Sequence, residues 1–135
     1  MEINWIAVVV AALVRFFLGW AWHSPFAFGK QWQALTGVTD DSMKANLGKA
    51  IPTDLVLSVI MAYVMARILG YAAPQDLVMA LAISLMCWLG FVVSITLSHS
   101  VYEQKPLKLF MIEAAYMGLS MLGMGAVLYL MRPGA

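Results

Sequence analysis

Four apolar runs, at about 3–25, 51–71, 76–101 and 106–131, constrain this chain more than any other feature. Each is near or above the roughly 20 residues that an α-helix needs to cross a hydrocarbon core about 30 Å thick. Only helices and closed barrels satisfy every backbone polar group in lipid, and a barrel strand alternates apolar and polar residues over about ten positions. No such alternation occurs here. The expected fold is all-α: a four-transmembrane-helix bundle with a short amphipathic interfacial segment between helices 1 and 2.

Composition points the same way. Of 135 residues, 63% are hydrophobic and 11% charged, against about 45–50% and about 25% in soluble domains. The spans use most of the chain, so residues 1–135 read as a single integral membrane domain with no soluble catalytic module. The first run lacks a basic leader and a small-x-small cleavage site, so it reads as a retained span rather than a cleaved signal. A net charge of +1 gives no electrostatic case for nucleic acid. The single Cys87 excludes a disulfide framework and a cysteine metal site.

Trp5 opens the first span, Trp20 and Trp22 close it, and Trp32 follows; all four are expected at the membrane–water boundary. Ala7 and Ala11 repeat at four-residue spacing, which lets a neighbouring helix approach closely. Ser24-Pro25 ends the helix, because proline disfavours helical geometry in the residue before it. Phe28, Trp32 and Leu35 then fall at i, i+4 and i+7, the pattern of a helix lying in the interface. Gly37 stops that segment. Thr39 is the expected N-cap of a second short helix, with Asp40 and Asp41 in its first turn, leading through Gly48 and Pro52 into span two. Ser84, Cys87, Ser94 and Ser98 mark one mildly polar face of span three, and Ala114, Gly118 and Gly125 a small-residue surface of span four. Lys30, Lys44, Lys49, Lys105 and Lys108 lie on one side of the spans. The positive-inside rule makes that side cytoplasmic and puts both termini outside, in a multi-pass arrangement across the cytoplasmic (inner) membrane.

An ionisable side chain within a span costs about 2.5–3.5 kcal/mol on insertion scales and marks a candidate site. Counting along the helices, Arg15 falls roughly 12 Å and Glu113 roughly 10 Å from the cytoplasmic boundary. The matching depths predict a buried Arg15–Glu113 pair between helices one and four. His23, Asp54 and His99 lie nearer the same boundary, so five ionisable groups form the expected cluster. Arg67 and Asp76 are expected to pair at the outer boundary. Plainer roles stand beside these. The buried pair can simply fix helix register, His23 can be an interfacial ring, His99 can complement a helix C-terminus, and Asp54 can sit in a helix's first turn. The methionines read as adaptable packing.

The leading functional expectation is a ligand- or lipid-binding or interaction bundle, with Arg15 holding a small anionic ligand or lipid. The alternative is a proton-coupled small-molecule transporter or permeability protein acting as a homo-oligomer. Haem or a metal held by His23 and His99 would rest on two imidazoles alone. A hydrolase built on Ser24, Ser98, His99 and Asp54 lacks a nucleophile motif. No catalytic residue, cofactor or metal is therefore assigned; the bilayer itself is the expected partner, and an enzyme is disfavoured.

Asn4-Trp5, Trp22-His-Ser-Pro25, Phe28-Gly-Lys30 with Trp32, Met61-Ala-Tyr63, Trp88-Leu-Gly-Phe91 and Lys105-Pro-Leu-Lys-Leu-Phe110 together resemble a family of small bacterial four-helix membrane proteins known only as a domain of unknown function. The resemblance spans nearly the whole chain. It implies a four-helix integral membrane domain and carries no established activity.

Overall fold

A computed structural model describes residues 2–135. It contains five helices: α1 (Trp5–Trp22), α2 (Gly29–Thr36), α3 (Asp40–Ala72), α4 (Leu77–Tyr102) and α5 (Leu107–Leu130). No strand occurs among the described residues. All but α2 are long and apolar enough to cross a membrane. The outer surface agrees, with Ile6, Phe17, Trp20, Ile60, Met86, Phe91 and Ile95 all exposed, a degree of apolar exposure that water does not tolerate on a soluble monomer.

Asn4 caps α1, its Oδ1 accepting from the backbone of Ile6 at 3.1 Å and of Ala7 at 3.4 Å. The same side chain donates from Nδ2 to the carbonyl of Met131 at 2.8 Å, tying the start of α1 to the end of α5. After α1 the chain folds back on itself: Phe28 N donates to Trp22 O at 3.0 Å and Gly29 N to Ser24 O at 2.9 Å. A Cβ on Gly29 would overlap the carbonyls of His23 and Ser24, so the turn needs glycine there. Gly37 ends α2 in the left-handed region at φ 77°, a conformation glycine adopts without steric cost.

Helix α3 differs from the expected pair of helices. It starts where Thr39 caps it, with a reciprocal Thr39–Ser42 capping box and Asp40 and Asp41 in the first turn, but then runs unbroken for 33 residues through Pro52. A proline ring clashes with the turn four residues earlier and leaves a carbonyl there without a donor. Here that residue is Gly48, which has no side chain and faces open space. The Thr53 hydroxyl also donates to the carbonyl of Lys49 at 2.7 Å, binding the helix together across the proline. At about 50 Å, α3 is much longer than a hydrocarbon core is thick.

Helix α4 carries a π-helical segment, Trp88–Val93, in which the Ser94 hydroxyl reaches the carbonyl five residues back, Leu89, at 3.1 Å. The wider turn rotates everything after it, so the expected polar face does not persist. Ser84 is buried, whereas Ser94 and Ser98 are exposed and Ser100 becomes the buried hydroxyl.

Helix α5 is the centre of the bundle. It packs against α1, α3 and α4, and α1 also packs on α3. Half of its membrane-length window is buried, against 11% for α4. Its small residues admit the neighbours: Ser84 lies against Gly125, and a Cβ on Gly118 would come within 3.0 Å of the Trp88 ring. The tightest packing joins Ala7, Val8, Ala11 and Ala12 to Ala62, Met65, Ala80 and Met124.

Candidate functional site

Arg15 does not pair with Glu113. Its Nη1 lies 2.9 Å from Asp54 Oδ1 and donates to Ser58 Oγ at 2.6 Å. Ser58 in turn donates to the carbonyl of Asp54 at 2.7 Å, so its oxygen is oriented to receive the guanidinium. The expectation failed because it placed Asp54 nearer the boundary than Arg15. With α3 continuous from Asp40, Asp54 lies about 21 Å along the helix, at the level of Arg15. Arg15 also lies 5.9 Å from the centroid of the Tyr116 ring, and its carbonyl accepts from the Tyr116 hydroxyl at 3.3 Å. The Arg15 side chain is 13% exposed and that of Asp54 42%, so the carboxylate is the partner that faces outward.

Glu113 faces α2 instead, accepting from Trp32 Nε1 at 3.4 Å. Two further indoles reach the same stretch of α5: Trp22 Nε1 donates to Ile112 O at 3.0 Å and Trp88 Nε1 to Ala114 O at 2.9 Å. Of the four tryptophans expected at the boundary, Trp5 and Trp20 are exposed, while Trp22 and Trp32 turn inward. Each inward indole has a hydrogen-bond acceptor, which a buried indole requires.

The two histidines lie in different settings. His23 places Nδ1 2.8 Å from the carbonyl of Gly19 and stands edge-on to Trp32 and Tyr116, with centroids 5.5 and 5.4 Å away. His99 is exposed on α4, 3.8 Å from Glu103. The expected five-residue cluster therefore divides into Arg15, Asp54 and His23 on one side, Glu113 behind Trp32, and His99 apart. No cluster of three or more His, Cys, Asp or Glu side chains suited to a metal occurs among the described residues. Arg67 and Asp76 do not pair either: Arg67 Nε donates to the Tyr63 hydroxyl at 3.0 Å, and Asp76 caps α4. Beyond α4, Lys105 donates to Glu103 at 2.7 Å. That hydrogen bond draws the Glu103 carboxyl below its ordinary range and raises the Lys105 amine above its own.

A lateral groove of about 860 Å³ opens beside the ion pair. Its walls are Phe16, Phe17 and Trp20 of α1, Trp32 of α2, and the face of α3 running from Met43 through Leu47 and Ala50 to Leu57. Asp54, His23 and Tyr116 supply its inner polar surface. A second cavity of about 450 Å³ lies at the opposite end, between Asn4, Ala66, Gly70, Tyr129 and Arg132. The two share no lining residue, and buried Ala11, Ala12, Ser58 and Ala62 lie between them on α1 and α3.

Sequence reasoning missed Ser58 and Tyr116. Ser58 stands four residues after Asp54, the spacing that aligns two side chains on one helix face, and so carried a usable signal. Tyr116 carried none, because nothing in a sequence shows that Gly19 leaves room for it, a Cβ there falling 2.6 Å from the tyrosine hydroxyl.

Fold and site together define a helical bundle of membrane-spanning character with a lateral aromatic groove beside a partly buried ion pair. The chain belongs to the family described as "Protein of unknown function (DUF1761)", which matches residues 6–129. No curated protein and no solved structure matches it.

Proposed function

We propose that this chain is a membrane-embedded binding protein that holds an amphiphilic molecule in the groove between α1, α2 and α3. The carrying observation is that the groove and the polar cluster coincide: aromatic and aliphatic walls lead to Asp54, His23 and Tyr116. Small-molecule sites have this constitution, mostly apolar with a few convergent polar groups, and volumes of about 300–1,000 Å³. A membrane supplies such ligands laterally, and the groove opens on the side of the bundle where Phe17, Trp20 and Leu57 are exposed. The lysines of α2, α3 and the Glu103–Lys105 turn favour a cytoplasmic position for this end.

Transport within one protomer is less well supported. Among the described residues the two cavities share no lining residue and are separated by small-residue packing.

Native mass spectrometry of the protein released from lipid nanodiscs tests the proposal. The wild type should retain a discrete adduct, and Leu57→Trp, which fills the groove from a half-exposed position, should lose it while keeping its helical circular dichroism. A wild type without adduct, or an adduct unaffected by Leu57→Trp, overturns it.

A further inference from the structure

The hydrogen-bond inventory of the groove indicates which polar group its occupant carries. This inference rests on the groove being a binding site, as proposed above. The partly buried polar groups that line it have their donors engaged within the protein. Trp32 Nε1 donates to Glu113 at 3.4 Å and the Tyr116 hydroxyl to Arg15 O at 3.3 Å. His23 Nδ1 faces the carbonyl of Gly19 at 2.8 Å; a carbonyl only accepts, so Nδ1 carries a proton, and in the neutral ring Nε2 is then an acceptor. Asp54 gives Oδ1 to Arg15, while its Oδ2 has no hydrogen-bond partner among the described residues.

The inner surface thus offers acceptors: a carboxylate oxygen, an imidazole nitrogen and a phenol oxygen. Lining side chains with donors to spare, Trp20, Asn46 and Lys49, are exposed at the rim. Aromatic rings add to this preference, because their faces attract cations, and Arg15 over Tyr116 is an internal instance. Of the charged side chains that line the groove, Asp54 belongs to its inner surface and Lys49 to its exposed rim. At the inner surface an anion would have to displace Asp54 from Arg15, which is itself absent from the groove lining.

We infer that the groove selects a lipophilic ammonium: an apolar chain or ring lying along Phe16, Phe17 and Leu57, with a protonated amine whose N–H groups donate to Asp54 Oδ2 and His23 Nε2. This reverses the anionic ligand that Arg15 suggested in the sequence.

Four probes sharing one dodecyl chain test the inference: dodecylamine, dodecanol, dodecyltrimethylammonium and dodecyl phosphate, titrated against the protein in phosphatidylcholine nanodiscs and followed by tryptophan fluorescence. Dodecylamine should bind roughly tenfold or more tighter than dodecyl phosphate, the factor carried by a charge-assisted hydrogen bond. It should also exceed dodecyltrimethylammonium, which has the charge without the N–H. Asp54→Asn should reduce the amine to the level of the alcohol. Should that variant fail to fold, Arg15→Gln with Asp54→Asn removes both charges together and should show the same loss. Equal or tighter binding of the phosphate, or an amine preference that survives both variants, overturns the inference while leaving the groove in place. Isotherms all unchanged in Leu57→Trp would instead overturn the groove itself, and the inference with it.

Discussion

At the end of the bundle where Asn4 holds Met131, α1, α3 and α5 meet through Ala7, Ala11, Ala62 and Gly125; at the other end the same helices meet through Arg15, Asp54, Trp22 and Tyr116. Ala11, Ala62 and Met124 form a layer with no exposed surface, beyond which lies the smaller cavity of about 450 Å³, whereas the second end is flanked by a groove of about 860 Å³. Small side chains let helix backbones approach until little space is left. Large planar rings carry hydrogen-bond donors that must be directed at specific acceptors, so they hold the helices at distances that do not close. The small-residue layer is therefore built for cohesion, and the groove end is held open by polar contacts.

The comparison is broken most severely by removing one member of the ion pair. Asp54→Ala leaves Arg15 in a largely buried setting without its carboxylate; breaking a fully buried pair costs about 3–5 kcal/mol, and the 42% exposure of Asp54 brings this pair below that. Denaturant unfolding in detergent, followed by circular dichroism, should show this as the largest loss among single substitutions at the groove end. Arg15→Met with Asp54→Leu should recover most of it, since well-packed apolar pairs commonly replace buried ion pairs without loss. Failure of the double variant to recover would mean that Ser58 and Tyr116 depend on the guanidinium for their own positions.

A smaller effect sharpens the contrast from the other side. A Cβ at Gly125 would overlap Ser84 Oγ, which donates to Ala80 O at 2.9 Å and has no room to withdraw. Gly125→Val should destabilise by about 1–3 kcal/mol through overpacking, in the same unfolding measurement. At the groove end, Ala50→Val adds similar bulk beside open space and should cost far less. Equal losses at both positions would remove the distinction between a packed layer and an open end.

The layer and the groove end were not equally legible in the sequence. The number of spans, the stop at Gly37 and the cap at Thr39 followed from periodicity and local chemistry, which act within one helix. The small-residue contacts at Ala7, Ala11, Gly118 and Gly125 also followed, because alanine and glycine at helical spacing have few other uses in an apolar run. What failed depended on angle rather than on depth. Arg15 and Glu113 lie on helices that do pack together, yet one side chain faces α3 and the other faces α2. The level of Asp54 depended on where α3 begins, and a proline four residues after a glycine read as a boundary although the helix passes through it. The π segment in α4 changes hydrogen-bond partners without a compositional mark, so the rotation that exposes Ser94 and Ser98 could not be read in advance.

The smallest expected effect separates geometry from environment. Lys105 and Glu103 approach to 2.7 Å, closer than the 2.9 Å between Arg15 and Asp54, but both lie in solvent beyond α4. Screening and side-chain entropy leave such surface pairs little net effect on stability. Their titration still records the contact. The hydrogen bond from Lys105 lowers the Glu103 carboxyl from an ordinary 4.5, and the reciprocal bond raises Lys105 from 10.5, with Glu113 adding a weaker pull. A lowered carboxyl contributes to stability above its unfolded value and loses that contribution as pH falls through its folded one; a raised amine contributes below its unfolded value and loses it as pH rises through its folded one. Between those limits the pair's contribution is flat. Lys105→Gln should shift the unfolding midpoint at neutral pH only slightly while raising the Glu103 midpoint, followed by carboxyl carbon NMR, toward its ordinary value. A destabilisation as large as that of Asp54→Ala would show that contact distance, rather than removal from water, decides what an ion pair contributes to this fold.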